Sequence, residues 1–378
     1  MGDAVEIPPI EYQPRFPKRL DWGIGVVGAG FIVRDCHLVA YRSAGFSVVA
    51  IASRTRERAE ELATSYGIEA VYDSVEDLVA DPHVEVLDIA VPPQVQPSII
   101  ERALAEKRGL RGILAQKPLA LDPATAWDIV RRCEEAGVVL AVNQNMRYDQ
   151  SVRAAKWLLD QGYLGEPVLA TIEMRAIPHW MPWARGLRSL STYIMSVHHL
   201  DTFRFWLGEP DRVIASTRPD PRTEFEHRDG INLYVLEFPN RARAAGWDDV
   251  WSGPLKEGVP GDPYVRWRIE GTEGYAIGEI GWPAYPARKP STLMFASRRT
   301  GPAIVQPRWE EVWFPDAFAG TMAELLCALE SGSEPEISGR DNLRTIALCE
   351  AVLRSAREGT PQRPAEILDE AMQRPNRS

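Results

Sequence analysis

The sequence predicts an α/β fold in two parts: a doubly wound parallel sheet near the N-terminus, followed by an α+β part. Between residues 21 and 143, near-continuous apolar segments alternate with segments of helical spacing, which is typical of a parallel sheet covered on both faces. After residue 144, shorter strand-like runs are separated by turn residues, which indicates an antiparallel or mixed sheet. With 378 residues, the chain is long enough for two or three domains.

The first part carries mainly Val, Ile, Leu and Ala in its predicted strands. The strands are Trp22–Val27, Phe46–Ala52, Val84–Val91, Leu110–Ala115 and Val138–Val142, and the helices between them are Arg54–Tyr66, Pro97–Lys107 and Pro123–Ala136. Strands and helices in this alternation predict a dinucleotide-binding domain at residues 21–143.

The second part, residues 144–378, is predicted to be a separate α+β domain, and its last helices are free to pack back on the first domain. Its predicted strands are Pro167–Ala176, Val213–Ser216, Gly230–Phe238, Tyr264–Glu270 and Gly274–Ile280, and its helices are Ser191–Leu207, Phe318–Ser331 and Arg340–Glu358. Residues 1–20 are rich in proline and are predicted to form an extended arm.

Composition excludes several classes of protein. The net charge of −10 argues against a nucleic-acid partner, because such proteins show a basic excess. The four cysteines form no Cys-x-x-Cys pair, so a thiolate zinc cage is excluded and no metal is expected. The longest apolar run, Gly23–Val33, is too short to span a bilayer, and the N-terminus lacks the apolar segment of a signal peptide. We therefore expect a cytoplasmic protein without membrane contact.

A glycine turn follows the first predicted strand. Gly28 permits a tight turn and Gly30 lets a pyrophosphate approach the backbone at the start of the next helix. The third glycine of the usual fingerprint is replaced by Val33. The context of strand and helix favours a dinucleotide site over a plain glycine turn.

The end of the second predicted strand bears on the choice between NAD and NADP. Sites for NAD usually place Asp or Glu here, whereas this chain has Ser53 and Arg54. Because Arg suits phosphate recognition, the pair favours NADP. Arg54 could equally stack on the adenine of either cofactor or be an exposed arginine at a helix start.

Gln116-Lys117-Pro118 comes directly after the strand Leu110–Ala115. Ligands bind at the carboxyl ends of parallel strands, so Lys117 is placed to exchange a proton with a substrate hydroxyl. A solvent-exposed lysine at a strand end is the alternative.

His198 and Asp201 lie three residues apart on a predicted helix and therefore share a face. Histidine is the usual proton shuttle near neutral pH. A core histidine is the alternative. Metal binding by His198 and His199 is disfavoured because adjacent side chains diverge on a helix.

The loop from Ile177 to Arg188 interleaves aromatic and cationic residues. Aromatic faces stack on sugar rings, and arginines bind carboxylate, phosphate or sulfonate groups. The candidate substrate contacts in this loop are His179, Trp180, Trp183, Arg185 and Arg188. A hydrophobic contact between subunits is the alternative.

Taken in order, these motifs resemble those of the glucose–fructose oxidoreductase / inositol dehydrogenase (Gfo/Idh/MocA) family. The resemblance rests on the Gly-Ala-Gly turn, Lys117-Pro118, Asn145-Met-Arg147, the His-x-x-Asp pattern before Leu207-Gly208, and Gly271-Thr-Glu-Gly274. It covers nearly the whole chain after Asp21.

The resemblance implies a Rossmann domain, a C-terminal domain on a large, mostly antiparallel open sheet, and contacts of that sheet in a dimer or tetramer. It also implies NAD or NADP as cofactor and Lys117 and His198 as catalytic residues. The cofactor contacts are expected at Gly28, Ala29, Gly30, Phe31, Ile32, Ser53, Arg54, Pro92, Gln96, Gln116, Lys117 and Asn145, and further substrate contacts at Arg147, Tyr193, His199 and Asp201.

Three positions depart from the family pattern. Gln116 replaces a glutamate, Gln96 replaces a histidine, and Ile194 stands where an aspartate is usual, four residues before His198. An apolar residue cannot share a proton with Lys117 or His198. Tyr193, beside it, is a possible replacement.

The leading functional hypothesis is an NAD(P)-dependent oxidoreductase that transfers a hydride between the nicotinamide and a hydroxyl carbon of a sugar, sugar acid or cyclitol. An alternative, suggested by Ile194, is an NAD-dependent glycoside hydrolase acting by transient oxidation, elimination and re-reduction. Arg185 and Arg188 would then favour a uronate or sulfosugar. A further alternative is a nucleotide-binding protein without catalytic activity.

Overall fold

The computed structural model describes residues 9–175, 182–223, 225–249, 263–284 and 286–373. These residues form two compact units. The parallel-sheet unit contains residues 14–145, 314–346 and 368–373, and the open-sheet unit contains residues 9–13, the described part of 146–313, and 347–367. Residues 314–346 include the helix Phe318–Ser331, which the sequence analysis leaves free to pack on the first domain, and they cluster with the parallel-sheet unit.

The parallel-sheet unit is built on six strands in the order β3-β2-β1-β4-β5-β6, and all neighbours are parallel. The strands are β1 (Ile24–Val27), β2 (Val48–Ala52), β3 (Ala70–Tyr72), β4 (Val86–Ile89), β5 (Gly112–Gln116) and β6 (Val139–Asn143). Reversal of the strand order beside β1 is the doubly wound arrangement, in which ligands bind at the carboxyl ends of the strands. The predicted fold class is confirmed.

The open-sheet unit holds seven strands in the order β13-β12-β11-β7-β10-β9-β8. They are β7 (Pro167–Arg175), β8 (Arg212–Arg218), β9 (Ile231–Glu237), β10 (Arg243–Asp249), β11 (Tyr264–Gly271), β12 (Gly274–Glu279) and β13 (Thr292–Ser297). Neighbours are antiparallel except for β7 and β10, which are parallel.

Ten α-helices lie among the described residues. They are α1 (Leu38–Ala44), α2 (Arg56–Tyr66), α3 (Val75–Ala80), α4 (Gln96–Glu106), α5 (Pro123–Glu135), α6 (Gln150–Asp160), α7 (Val197–Leu207), α8 (Ala317–Ser331), α9 (Gly339–Glu358) and α10 (Pro364–Met372). Two π-helical turns precede α1 and α7, at Val33–His37 and Thr192–Ser196. None of the described helices is long and apolar enough to cross a membrane.

The open sheet buries one face, as the period-two pattern of its strands requires. Trp267 on β11 is the largest fully buried side chain. Its indole Nε1 donates to Ser151 Oγ at 3.1 Å, and its ring lies 5.3 Å from that of Trp206 on α7. Aromatic packing and a satisfied indole together stabilise this core.

Strand β10 was not predicted, because its sequence, with Gly246 and two aspartates, has low strand propensity. The structure shows why these residues are accepted. A Cβ atom on Gly246 would lie 2.6 Å from the ring of Tyr234 on β9, so the neighbouring strand leaves no room for a side chain. Asp248 is buried and paired with polar groups of the helical layer. Tertiary contacts therefore override the local propensity.

Candidate active site

The glycine turn after β1 is shaped to receive a ligand at the backbone. Gly28 has φ of +121°, and a Cβ atom there would lie 2.5 Å from the carbonyl oxygen of Ala90, so only glycine fits. A Cβ atom on Gly30, in contrast, would meet no heavy atom within 4 Å. The turn is open on that side, directly before a helix start, and this arrangement fits the pyrophosphate of a dinucleotide.

Five further residues that the sequence analysis assigns to the cofactor lie in the same unit and are half-buried or buried. Ala29, Phe31, Ile32 and Pro92 are half-buried. Asn145 is buried at the start of the short helix Asn145–Tyr148, and its Oδ1 atom has no hydrogen-bond partner among the described residues. An orphaned acceptor in a buried position is available to a bound ligand.

Ser53 and Arg54 follow the end of β2. Ser53 Oγ accepts a hydrogen bond from the backbone N–H of Thr55 at 3.2 Å, which shapes the turn into α2. Arg54 is exposed, and no carboxylate among the described residues pairs with it. Arg56, two residues later, is bound to both Glu60 and Asp73. Arg54, unlike Arg56, therefore remains available to an anionic group at the end of β2.

Gln96, at the start of α4, clamps the loop that carries Lys117. Its side chain is fully buried. Its Oε1 atom accepts the backbone N–H of Gln116 at 2.9 Å, and its Nε2 atom donates to the carbonyl oxygen of Gln116 at 2.8 Å. The same Nε2 atom lies 3.2 Å from Pro118 O and 3.1 Å from Leu119 O. With all of its amide hydrogen bonds used on backbone, Gln96 has a structural role in place of the predicted cofactor contact.

A buried polar cluster next to this loop was not predicted from the sequence. Because side chains alternate along a strand, Asp88 on β4, Gln116 on β5 and Asn143 on β6 share one face of the sheet. All three point toward His37, the last residue of the π-turn before α1.

The two ring nitrogens of His37 lie within hydrogen-bonding distance of all three side chains. His37 Nδ1 lies 2.6 Å from Asp88 Oδ2, and Tyr41 OH donates to the same oxygen at 3.0 Å. His37 Nε2 lies 3.2 Å from Asn143 Nδ2 and 3.4 Å from Gln116 Nε2. Burial, with a contribution from Asp88, raises the pKa of Tyr41 well above its usual value, so the phenol stays protonated and donates. An aspartate inside a buried strand signals such a partner, because a buried charge must be paired.

His198 begins the first turn of α7 in the open-sheet unit. It is buried, and its imidazole packs edge-to-face on Trp313, with ring centroids 5.5 Å apart. Asp229 fixes the preceding segment, because its carboxylate accepts the backbone N–H groups of Leu190 and Thr192 at 2.5 and 2.9 Å. Burial raises the pKa of Asp229, while these hydrogen bonds oppose the shift.

A π-turn, Thr192–Ser196, precedes the helix that carries His198. The backbone N–H of Val197 donates to the carbonyl of Thr192, five residues earlier. Tyr193 and Ile194 are both buried in this turn, five and four residues before His198. Short π-helical segments of this kind occur frequently at functional sites.

Three residues predicted to contact substrate are engaged with other protein groups instead. Arg147 and Asp201 form a bidentate ion pair at 2.6 and 2.7 Å with both side chains buried. His199 is fully buried, and its Nδ1 atom lies 3.0 Å from Asp248 Oδ1 on β10. Adjacent side chains diverge on a helix, so His199 faces the sheet. These residues pack in the helical layer, and their contact with the substrate stays a prediction.

The aromatic and cationic loop is described in part. His179 and Trp180 lie outside the described residues. Trp183 and Arg185 belong to the short helix Pro182–Gly186, where Trp183 is half-buried and Arg185 is exposed and lies 5.9 Å from the ring centroid of Phe225. Arg188 is also exposed, and its carbonyl accepts the N–H of Arg228. Both guanidinium groups are accessible to an anion.

Within the described residues, no group of three or more His, Cys, Asp or Glu side chains could hold a metal ion. Several buried polar groups are instead paired with one another or with the backbone, such as Arg147 with Asp201 and Gln96 with the loop of Lys117. The parallel-sheet unit therefore offers a dinucleotide turn and an anchored lysine as chemical groups, and the open-sheet unit offers a buried histidine.

Comparison with known proteins supports this assignment of the parts. The model of an oxidoreductase family with an NAD-binding Rossmann fold (GFO_IDH_MocA) matches residues 22–144, and the model of its C-terminal alpha/beta domain matches residues 156–365. D-apiose dehydrogenase from Paraburkholderia graminis is 27% identical over 88% of this chain and 87% of its own length. Inositol 2-dehydrogenase from Rhizobium meliloti is 25% identical over 88% of this chain and 96% of its own length.

Among solved structures, an oxidoreductase from Agrobacterium radiobacter in complex with NAD+, L-tartaric acid and magnesium shares the fold. Its TM-score is 0.78 at 24% identity, and the match covers 92% of this chain and 100% of that one. Both family models match in chain order and together span most of the sequence. The protein thus belongs to the GFO_IDH_MocA family of oxidoreductases.

Proposed function

We propose that this protein is an NAD(P)-dependent dehydrogenase that acts on a hydroxyl carbon of a sugar, sugar acid or cyclitol. The observation that carries the proposal is the Gln96 clamp, which anchors Lys117 at the carboxyl end of β5 in a sheet whose first turn is open at Gly30. The names of the two curated relatives, an apiose and an inositol dehydrogenase, support a carbohydrate or cyclitol substrate.

The chain's own task in such a reaction is to take the proton of the substrate hydroxyl. When bound, the nicotinamide supplies the acceptor for the hydrogen on carbon. Lys117 or His198 accepts the hydroxyl proton, which requires the amine or the imidazole in its neutral form. Trp313 holds the His198 ring by edge-to-face packing, so the imidazole keeps one orientation.

In this proposal, Tyr193 performs the role of the family aspartate, which is replaced by Ile194 in this chain. Tyr193 lies in the π-turn before α7, five residues before His198, and a phenol can both donate and accept a hydrogen bond. In this proposal Tyr193 orients the substrate hydroxyl, while Arg185 and Arg188 favour a substrate with a carboxylate or another anionic group.

Replacement of Lys117 tests the proton acceptor. We expect Lys117→Met to lower kcat at least 100-fold while the Kd of the cofactor changes less than about threefold, because general acid–base groups contribute about 10²–10⁴-fold. Turnover is followed at 340 nm after a panel of sugars, uronates and cyclitols has identified a substrate. Lys156→Met on α6 is the matched control, and equal kcat in both variants would refute the assignment.

Tyr193→Phe tests the replacement of the family aspartate. Removal of one phenolic oxygen is expected to lower kcat about tenfold, which corresponds to one hydrogen bond of about 1.4 kcal/mol. Tyr234→Phe, a buried tyrosine on β9, is the control and should keep kcat within about twofold. If both variants keep full kcat, Tyr193 has no part in the reaction.

The preference for NADP rests on Arg54 and Ser53. Arg54→Ala is expected to weaken NADP binding about tenfold and NAD binding less than twofold, because only NADP carries the 2′-phosphate that an arginine binds. Isothermal titration with each cofactor measures both values. Arg56→Ala, whose native side chain is occupied by Glu60 and Asp73, should bind like the parent. An equal loss for both cofactors would contradict the preference.

We further propose that the protein forms a homo-oligomer through the outer face of the open sheet. Ile214 on β8 and Leu233 and Val235 on β9 are 44%, 49% and 40% exposed, and Ile214 pairs directly with Val235 in the ladder. A contiguous exposed apolar patch of this kind marks an interaction surface.

The double variant Ile214→Glu/Leu233→Glu tests this face. Like charges placed on both copies should shift the sedimentation coefficient to that of a monomer in analytical ultracentrifugation. Met372→Glu replaces an apolar residue of similar exposure on α10 and should leave the assembly unchanged. An oligomer that survives the double variant would place its interface elsewhere.

A further inference from the structure

We propose that His37 is a positioning residue that orients the Gln116 side chain, and through it the backbone at Lys117. The proposal rests on the proposed function, because Lys117 is assigned there as the proton acceptor. It is carried by the buried cluster of His37, Asp88, Gln116 and Asn143, of which the sequence motifs assign a role to Gln116 alone.

The direction of the hydrogen bonds in the cluster is fixed by the backbone N–H of Lys117. The backbone N–H of Lys117 donates to Gln116 Oε1 at 3.0 Å. A backbone N–H can only donate, so the oxygen of the Gln116 amide faces Lys117 and its nitrogen faces the other way. That nitrogen lies 3.4 Å from His37 Nε2.

This orientation determines the tautomer of His37. The Gln116 amide nitrogen can only donate, so His37 Nε2 must be the acceptor and carry no proton. Asn143 Nδ2, at 3.2 Å, presents a second donor to the same atom. The proton of the neutral imidazole therefore sits on Nδ1, where Asp88 Oδ2 accepts it at 2.6 Å. The hydrogen bond of one ring nitrogen sets the state of the other.

The same succession of donors and acceptors explains why residue 116 is a glutamine. A glutamate carboxylate can accept the N–H of Lys117 but cannot donate to His37. It would require a proton on Nε2 as well, and so an imidazolium buried between two carboxylates. With glutamine, one amide can accept the N–H of Lys117 with its oxygen and donate to His37 Nε2 with its nitrogen.

Two clamps therefore act on the Lys117 loop from the same unit. Gln96 holds the backbone of Gln116 by both its N–H and its C=O. His37 holds the side chain of Gln116, which in turn holds the N–H of Lys117. Misplacement of a catalytic group by about 1 Å can cost about 100-fold in rate, so loss of the second clamp should be visible in kcat.

The variants His37→Gln and His37→Asn separate positioning from a merely structural role. A glutamine side chain reaches the place of Nε2 and can accept from Gln116, but it gives up the Nδ1–H donated to Asp88. An asparagine side chain reaches only the place of Nδ1, so it retains the bond to Asp88 and loses the one to Gln116. If His37 positions Gln116, kcat is about tenfold higher in His37→Gln than in His37→Asn. If His37 serves only as the hydrogen-bond partner of Asp88, kcat is higher in His37→Asn than in His37→Gln. The two kcat values then follow the thermal stability of the variants.

Amide hydrogen exchange of Lys117, measured by NMR on the full chain, gives a readout that needs no turnover. We expect the Lys117 N–H to exchange about tenfold faster in His37→Asn than in His37→Gln, because only the former releases its acceptor. The imidazole ¹⁵N spectrum of the parent protein should show the Nδ1–H tautomer for His37, identified by the signals lost in His37→Gln.

The outcomes are distinct. Equal exchange in both variants, or an Nε2-protonated His37 in the parent, overturns the positioning role even if the protein is an active dehydrogenase. A parent protein that turns over none of the sugars refutes the proposed function, while the exchange rates still decide the role of His37.

Discussion

Burial without loss of hydrogen bonds is the constraint on which the candidate site depends. The carboxyl ends of the parallel strands place amide, carboxylate and imidazole groups inside the protein, where an unpaired polar group costs about 1–3 kcal/mol. Gln96 meets this constraint by pairing its whole amide with the backbone of Gln116, Pro118 and Leu119. The side chain of Gln96 thereby holds the backbone on both sides of Lys117 in place.

The open-sheet unit meets the same constraint with different residues. Asp229 accepts the N–H groups at the start of the π-turn, and Asp248 on β10 accepts from Ser196 and faces His199. Arg147 and Asp201 neutralise each other at 2.6 Å. Such pairs are strongly destabilised by removal of one partner, because the other is left as a buried charge. The helix that carries His198 is therefore fixed by polar contacts on several sides.

The departures from the family pattern become coherent in the structure. Gln116 contacts His37, Gln96 forms hydrogen bonds with the loop that it faces, and Tyr193 lies with Ile194 in the π-turn that precedes α7. The relatives share this fold and act on different compounds, as the names apiose dehydrogenase and inositol dehydrogenase state. Specificity in such a family lies in sites on a common scaffold, and we propose that the segment with Trp183, Arg185 and Arg188 has this role here.

The sequence by itself determined the fold class, the glycine turn and the loop of Lys117, because these follow from local patterns: apolar periodicity, a missing Cβ and the residue after a strand. It did not reveal β10, whose glycine and aspartates are accepted only because Tyr234 and His199 lie opposite. The sequence analysis also assigned Arg147 and Asp201 to the substrate. It could not predict that these two residues bind each other, because they are 54 residues apart in the chain. The His37 cluster gathers residues from three strands and one helical turn. Only the tertiary structure could show it, since hydrogen-bond partners are set by distance in space and not along the chain.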